Sequence, residues 1–554
     1  YPGIDLRYRL VDGGIKYEFV AQPAADLSAI EIKYSGAEAL RSLPSGGIEI
    51  RGGDGILSEA APVAFDDEQV VDCAFRLRGP LSVGFDCHGW SRESSLVIDP
   101  LVMSTFLGGS DQDQVEAVGV DDQGNLVLAG TSASMDFPRV PGPPRSWAMG
   151  GGVDVFVSKL DASGSSLLWT AWLGGTGWET IHSLAVSGDG SVLVGGLTGS
   201  VDFPVTEGSF ATENSGLLDG FVSALDRNGT TLVASTYLGG GQNDWAMSLA
   251  LGPGGDLIAT GETSSSDFPV SAGSFDGQYS GQGDSFVVRL NPDNLTLVYS
   301  TFLGGSRLDE AYTLVVNSTG SAWVTGSTKS PDFPTTLGAN ATSPFGDWDM
   351  FVVALSPDGS ALEYATFFGG SGGDFSIDSA LGPDGTLYWT GYTNSSNFPT
   401  SPNAPACSLS ANDTRNAFVA RFDLVNGTFP LAVCLGGSEG DTGSAVAVDS
   451  TGRAYVAGWT DSADFPISSD AEDNTSQGRE IFVAVLNATS PIPYHSTYLG
   501  GSEYDWASDL LVDDRGNAFV VGFTSSTDFP TTEGAFNRTF VGGLADGFLA
   551  KVNV

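Results

Sequence analysis

Along most of the chain, apolar and polar residues alternate in short runs broken by glycine-rich turns. This period of two is the signature of half-buried β-strands. In one representative stretch Ala246-Met-Ser-Leu-Ala-Leu alternates, Gly252-Pro-Gly-Gly turns, and Asp256-Leu-Ile-Ala-Thr-Gly follows as a second run. A long loop from Ser264 to Gly283 leads to Ser285-Phe-Val-Val-Arg-Leu, and Leu297-Val-Tyr-Ser-Thr-Phe-Leu ends the set before Gly304-Gly305. The pattern predicts four antiparallel strands in this unit.

The unit recurs. Leu-Gly-Gly begins at Leu107, Leu173, Leu238, Leu303, Leu435 and Leu499, with Phe368 in place of Leu once, at spacings of 64 to 67 residues. Asp-Phe-Pro begins at Asp136, Asp202, Asp267, Asp332, Asp464 and Asp528, with Asn397 substituting in the fifth unit. A third phrase, acid-x-Phe-Val in most copies, begins at Asp154, Asp219, Asp284, Asp349, Glu480 and Asp546, with Asn416 in the fifth unit. Three markers thus agree on seven copies, and seven four-stranded units make a β-propeller. The ends of the array complement each other. Leu101-Val-Met-Ser-Thr-Phe is a fourth-type strand without the first three, and Phe548-Leu-Ala-Lys-Val is a third-type strand without a fourth. Pairing the two closes the ring and hides its edges.

Ser-Thr-Phe/Tyr-Leu-Gly-Gly, Gly-x-Thr-x-Ser-x-Asp-Phe-Pro and Asp-x-Phe-Val-x-Lys/Arg-Leu together resemble the SBBP family, seven-bladed β-propeller repeat proteins of bacteria and archaea. The resemblance covers residues 98–554 and implies the fold and an extracellular setting. Residues 1–97 lack the repeat markers and look like the β-rich domain that often precedes such propellers, including its closing Leu96-Val-Ile-Asp-Pro. Alternation in Ile4-Asp-Leu-Arg-Tyr, Ile15-Lys-Tyr-Glu-Phe-Val and Ile30-Glu-Ile-Lys-Tyr predicts strands there too. The expected architecture is all-β: a small N-terminal β-sandwich-like domain, residues 1–97, followed by a seven-bladed propeller, residues 98–554. No helix is expected.

Composition narrows the function. The 554 residues include 75 Gly, 67 Asp+Glu and 23 Lys+Arg, for a formal net charge of −44. Such a field repels phosphate, so nucleic-acid and anionic-membrane binding are not expected. No apolar run reaches the roughly 18 residues of a membrane-spanning helix, so no direct membrane insertion is expected. The four cysteines fall into two sequence-local pairs, Cys73 with Cys87 and Cys407 with Cys434, none in a Cys-x-x-Cys arrangement. Two disulfides and an oxidising compartment are the simplest account. Tyr1 in place of an initiator Met fits a processed secreted protein or a trimmed chain. Ten Asn-x-Ser/Thr sequons lie at Asn228, Asn294, Asn317, Asn340, Asn394, Asn412, Asn426, Asn474, Asn487 and Asn537, all beyond residue 220, and favour a glycosylated surface protein.

Candidate chemistry begins with the most regular polar position. Six residues after the first residue of each glycine phrase stands an acid: Asp113, Glu179, Asp244, Asp309, Asp374, Asp441 and Asp505. One reading is a ring of metal ligands at the mouth of the channel, with Ca²⁺ the suited cation. The other, which carries more weight, is a turn cap in which each carboxylate accepts N–H bonds from its own loop. The Asp-Phe-Pro corner reads as a lock between blades, and in the fifth blade the Cys407–Cys434 disulfide is expected to replace carboxylate bonds. Gly-x-Ser-x-Gly at 369–373 and 436–440 is the repeat phrase followed by a further Gly, without the helix a nucleophile elbow needs. The three histidines, His88, His182 and His495, are too scattered in sequence for a triad or metal cluster. Trp178, Trp245 and Trp506 beside the acidic position, and Trp147 and Trp348 in the long loops, either hold sugars or fill gaps between blades.

The reading that results is a non-enzymatic secreted or cell-surface glycoprotein, archaeal in kind. It acts as a structural or interaction scaffold in adhesion or in envelope or filament assembly. Its partners are proteins or glycans at the cell surface, with self-assembly included, and it requires no cofactor. The alternative is a carbohydrate-binding or carbohydrate-active protein with its site at the channel mouth.

Overall fold

The computed structural model describes every residue except 1–2, 12–13, 24, 35–36, 38, 43–47, 53–54, 60–61, 63, 67–68, 80, 89, 91–95, 99–100, 141–145, 148–151, 406, 408, 410–414, 424–425, 469–470, 472, 477, 488–489, 514–515, 533–534 and 554. The N-terminal part holds a seven-stranded sheet and a three-stranded sheet. Ile48 of the small sheet shares a core with Phe19, Phe75, Val83 and Phe85 of the large one, as in a sandwich. The strand Leu96–Ile98 pairs with Gly14–Ala21 and Ala64–Asp66 in the large sheet, so this part extends one residue beyond the expected 97. A single 3-10 turn, Leu27–Ala29, precedes a strand of only two residues, Ile32–Lys33, where the alternation predicted a longer one. Cys73 and Cys87 are direct cross-strand partners and are bridged.

From Leu101 onward the chain forms seven sheets arranged as blades. Their first strands are Asp113–Val120, Glu179–Val186, Asp244–Leu251, Asp309–Val316, Asp374–Leu381, Asp441–Val448 and Asp505–Val512. These inner strands pack one against the next, and that of blade seven against that of blade one. The ring closes as the two ends require. Leu101–Leu107 pairs antiparallel with Asp546–Asn553, with Phe106 opposite Phe548, as the outer strand of blade seven. Blade one carries one addition, a parallel two-residue strand, Ser146–Trp147, on its outer edge.

Each blade has the same aromatic centre. The Phe of Asp-Phe-Pro packs on the Phe of the third strand, as Phe137 does on Phe156 at 4.4 Å and Phe333 on Phe351 at 4.5 Å between ring centroids. A third ring comes from the outer strand, Trp172 in blade one and Phe367 in blade four. Such contacts add to the burial of large apolar surface. Blade five has Cys434 at the third position, and there Phe368, the residue that replaces Leu in the glycine phrase, packs edge-on against Phe398 at 5.4 Å. Cys434 lies on the outer strand Thr428–Leu435 and is bonded to Cys407 in the preceding loop.

Deleting Leu101–Phe106 is expected to open the ring and lower the melting temperature sharply; an unchanged melting curve would contradict this closure. Thiol labelling of the native protein is expected to find no free cysteine. Replacing Cys407 and Cys434 by Ser is expected to lower stability by roughly 2–4 kcal/mol in denaturant titrations.

Candidate functional site

The regular acids lie at the heads of the inner strands and are buried, six of them Asp and one Glu. In blade four the backbone N–H of Gly305 and the hydroxyl of Ser330 donate to Asp309 Oδ2 at 2.7 and 2.8 Å. Ser330 Oγ in turn accepts from the N–H of Arg307, and its own N–H donates to Thr328 Oγ1. Asp332, the Asp of Asp-Phe-Pro, accepts the N–H and hydroxyl of Ser306. The same bonds recur around Asp113, Asp244, Asp374, Asp441 and Asp505, and around Glu179 with its longer side chain. The glycine phrase and the Asp-Phe-Pro corner are therefore parts of one hydrogen-bonded knot between successive blades, and the acid of the third phrase packs beside it. This geometry is that of a cap: each acid supplies acceptors to donors that the tight turn would otherwise bury unpaired. Among the described residues no three His, Cys, Asp or Glu side chains come together as a group fit to hold a metal ion.

Asn397 fills the Asp-Phe-Pro position of blade five with the same two bonds, Oδ1 accepting the N–H and hydroxyl of Ser371 at 2.9 and 2.8 Å. Only an oxygen acceptor is needed there. The disulfide of that blade therefore adds to the knot and does not replace it, contrary to the expectation from sequence. In Asp332 and its counterparts Asp136, Asp202 and Asp464, the backbone N–H and then the hydroxyl of the residue after Gly-Gly hold the carboxyl below its usual range.

The glycines follow from the same crowding. A Cβ at Gly304 would lie 2.7 Å from Asp284 Oδ1 and 3.0 Å from Asp309 Oδ2, and one at Gly305 would lie 2.6 Å from Ser330 Cβ. Gly304 thus marks a contact between two acids: the one that heads the third strand of a blade and the one that heads the inner strand of the next. The pairs are Asp154 with Glu179, Asp219 with Asp244, Asp284 with Asp309, Asp349 with Asp374, Glu480 with Asp505, and Asp546 with Asp113, while blade five supplies Asn416 to Asp441. Burial, with a smaller contribution from the facing acid, pushes Asp154, Asp284 and Asp546 up to about 7.

Sevenfold regularity fails inside the channel. A bulge in the inner strand of every blade admits one extra residue, and these are Glu116, His182, Met247, Tyr312, Ile377, Ser444 and Ser508. Burial raises Glu116 to about 7 and lowers His182 to about 4. The next residue clasps the following blade where it is polar: Ser183 Oγ accepts from Leu249 N–H, Asp378 from Val446 N–H, and Asp509 from Val118 N–H across the ring closure. Sequence reading passed over this position because its residue type varies from blade to blade; its constant place three residues after the regular acid was the available signal.

At the knot end of the channel, blades four to seven share a continuous cation–aromatic arc. Lys329 lies over Trp348, which packs on Phe375, itself stacked on Tyr392 at 4.8 Å. Arg415 bridges Tyr392 and Trp459, and Arg479, held bidentately by Asp461, covers Trp459 at 4.2 Å. Trp459 meets Trp506, which stacks on Phe523. Such contacts contribute on the order of 0.5–2 kcal/mol each. Trp348, Trp459 and Trp506 thus join blades; Trp178 stands apart, 46% exposed. The Trp147 side chain lies outside the described residues.

Comparison with known proteins agrees with this architecture. Residues 435–466 and 496–530 match the SBBP β-propeller repeat family, and residues 1–101 match a family described as a domain of unknown function, DUF7948. The match to SBBP repeats thus lies behind a match to that second family. A protein of Caulobacter vibrioides described as regulatory protein FlaEY is 26% identical over 447 residues, which is 76% of this chain and 44% of that one. The chain thus spans less than half the length of this relative. Among solved structures, BamB from Moraxella catarrhalis shares 12% identity with 96% and 99% of the two chains covered, at a TM-score of 0.32. A Synechocystis apocarotenoid oxygenase variant shares 9%, covering 80% and 94%, at 0.38.

Replacing Ser330 by Ala removes a donor from the buried Asp309 and an acceptor from Arg307 N–H. A loss of about 1–3 kcal/mol is expected in chemical denaturation. A neutral substitution would contradict the capping role.

Proposed function

We propose that the chain is a non-enzymatic scaffold, secreted or displayed on a cell surface as a glycoprotein of archaeal kind, that works through its surfaces in adhesion or in envelope or filament assembly. The observation that carries this reading is where the sequons fall. Asn228, Asn294, Asn340, Asn394, Asn426, Asn474 and Asn487 are exposed, and Asn317 and Asn537 are half-buried in loops. Asn412 lies outside the described residues. Asn228, Asn294, Asn426 and Asn487 occupy turns after the third strands, while Asn340, Asn394, Asn474 and Asn537 lie in the long loops after the second strands. These two sets of loops lie at opposite ends of the strands, so glycans at these sites cover both ends of blades four to six and one end of blades two, three and seven, and leave blade one bare.

Two further observations support the setting. Both disulfides are formed, which fits an oxidising compartment, and among the described residues no helix is long and apolar enough to cross a membrane. A relative described as a regulatory protein fits a role exercised by binding.

A solvated glycan resists burial in a packed interface. Partners, including copies of the same chain, therefore dock on the unglycosylated side: the N-terminal domain and the blades between Leu107 and Gly220. The N-terminal domain also repels least, with nine basic and 15 acidic residues in 1–97. Intact mass before and after enzymatic or chemical deglycosylation is expected to fall by several glycans. Crosslinks in any assembly are expected within the N-terminal domain and Leu107–Gly220. An unchanged mass, or crosslinks centred on Asn394 to Asn487, would contradict the reading.

A further inference from the structure

The capping role leaves part of the acid array unexplained. At six blade boundaries, five with Asp and one with Glu480, the third-strand acid is almost wholly enclosed, from 0% exposed for Asp284, Asp349 and Asp546 to 6% for Asp154. Where its first oxygen is held, it accepts backbone N–H bonds from its own loop, as Asp219 does from Ser215 and Asp284 from Ser280. Its second oxygen, Oδ1 of Asp154, Asp219, Asp284, Asp349 and Asp546, is buried with no partner. That oxygen crowds the same glycine as the carboxyl of the next blade. Beside Asp284 Oδ1 at Gly304 lies Asp309 Oδ2, which already accepts from Gly305 N–H and Ser330 Oγ–H and can only accept again. Two bare carboxylates in this position would repel each other where solvent screening is weak.

The charged groups that act on these carboxyls from neighbouring elements are acids: Glu179 on Asp154, Asp244 and Asp267 on Asp219, Asp309 and Asp276 on Asp284, Asp374 on Asp349, and Asp113 and Asp136 on Asp546.

Blade five shows what the position requires. Its third-strand residue is Asn416, opposite Asp441, whereas the inner-strand residue is an acid in all seven blades. Asparagine is a neutral isostere of a protonated aspartic acid, and Asn416 Oδ1 lies beside Gly436 as Asp284 Oδ1 lies beside Gly304. We infer that Asp154, Asp219, Asp284, Asp349 and Asp546 are protonated carboxylic acids that donate their proton to the inner-strand carboxylate of the next blade, so that the propeller takes up protons when it folds. With the proton in place these boundaries carry the same single negative charge as the Asn416–Asp441 boundary. A bridging divalent cation would make them unlike it, and Ca²⁺ asks for six or more oxygen ligands.

The sign of the linkage follows. An acid whose folded-state affinity for the proton exceeds its unfolded one stabilises the fold fully below the unfolded range, near 4, and loses that contribution as pH rises to about 7. The Asp-Phe-Pro acids work the other way and lose their contribution only at lower pH. Relief of general repulsion also favours the fold on acidification, so the wild-type curve alone decides nothing and variants are compared.

The experiment measures melting temperature of the full chain between about pH 8 and about pH 5. Asp284→Asn, which installs the blade-five residue, is expected to retain stability at the high end and to shrink the gain on acidification. Asn416→Asp is expected to lower the melting temperature at the high end, recover it at the low end, and enlarge the gain. Glu213→Gln, which makes the same acid-to-amide exchange at an exposed site, is expected to leave the slope unchanged. Added Ca²⁺ or EDTA is expected to have no effect. The proposal is overturned if Asp284→Asn loses the same stability at both ends. It is also overturned if Asn416→Asp leaves the slope unchanged, or if Ca²⁺ raises and EDTA lowers the melting temperature of the wild type.

Discussion

The buried carboxylate at the head of each inner strand is the constraint on which the rest of the propeller depends. Turning from the outer strand of one blade into the inner strand of the next leaves N–H groups inside protein, and a buried unpaired donor costs about 1–3 kcal/mol. One carboxylate satisfies the Gly-Gly turn and positions the serine that caps the other side of it. Once that acid is inside, its neighbours are dictated. The first glycine must lack a Cβ because two acids occupy its space, and the second because the serine and Asp-Phe-Pro do. The phenylalanine of that corner then enters the blade and meets the ring of the third strand.

The fold was legible because each blade is written in sequence as three short phrases at one period. The third unit shows how closely: strands read from alternation at 246–251, 285–290 and 297–303 appear as Asp244–Leu251, Asp284–Leu290 and Leu297–Leu303. Residues such as Ile32 were harder. They lie in the non-repeating part, where a strand shrinks to two residues after a 3-10 turn and no second copy confirms the pattern. The candidate site was half legible. The seven acids were visible as positions, but their pairing with Asp284 and its equivalents joins residues 25 apart on different blades and needed the closed ring. The bulge residues and the arc from Lys329 to Phe523 escaped because symmetry draws attention to what repeats.

Two kinds of surface result. The knots repeat with few substitutions and are structural, and they leave the blades free to differ elsewhere. Variation concentrates in the channel, from Glu116 and His182 to Ser444, and in the loops that carry the sequons. The proposed scaffold, with glycans over blades two to seven and a bare N-terminal side, fits this division: regular inside, asymmetric where the proposal puts its partners.

The protons at the blade boundaries are the most direct point at which the account stands or falls. Neutron crystallography of the deuterated protein would locate them. The account expects deuterium on Oδ1 of Asp284, directed at Asp309 Oδ2, and the same at Asp154, Asp219, Asp349 and Asp546. Bare carboxylates at these five positions, or a metal ion between the paired acids, would contradict it.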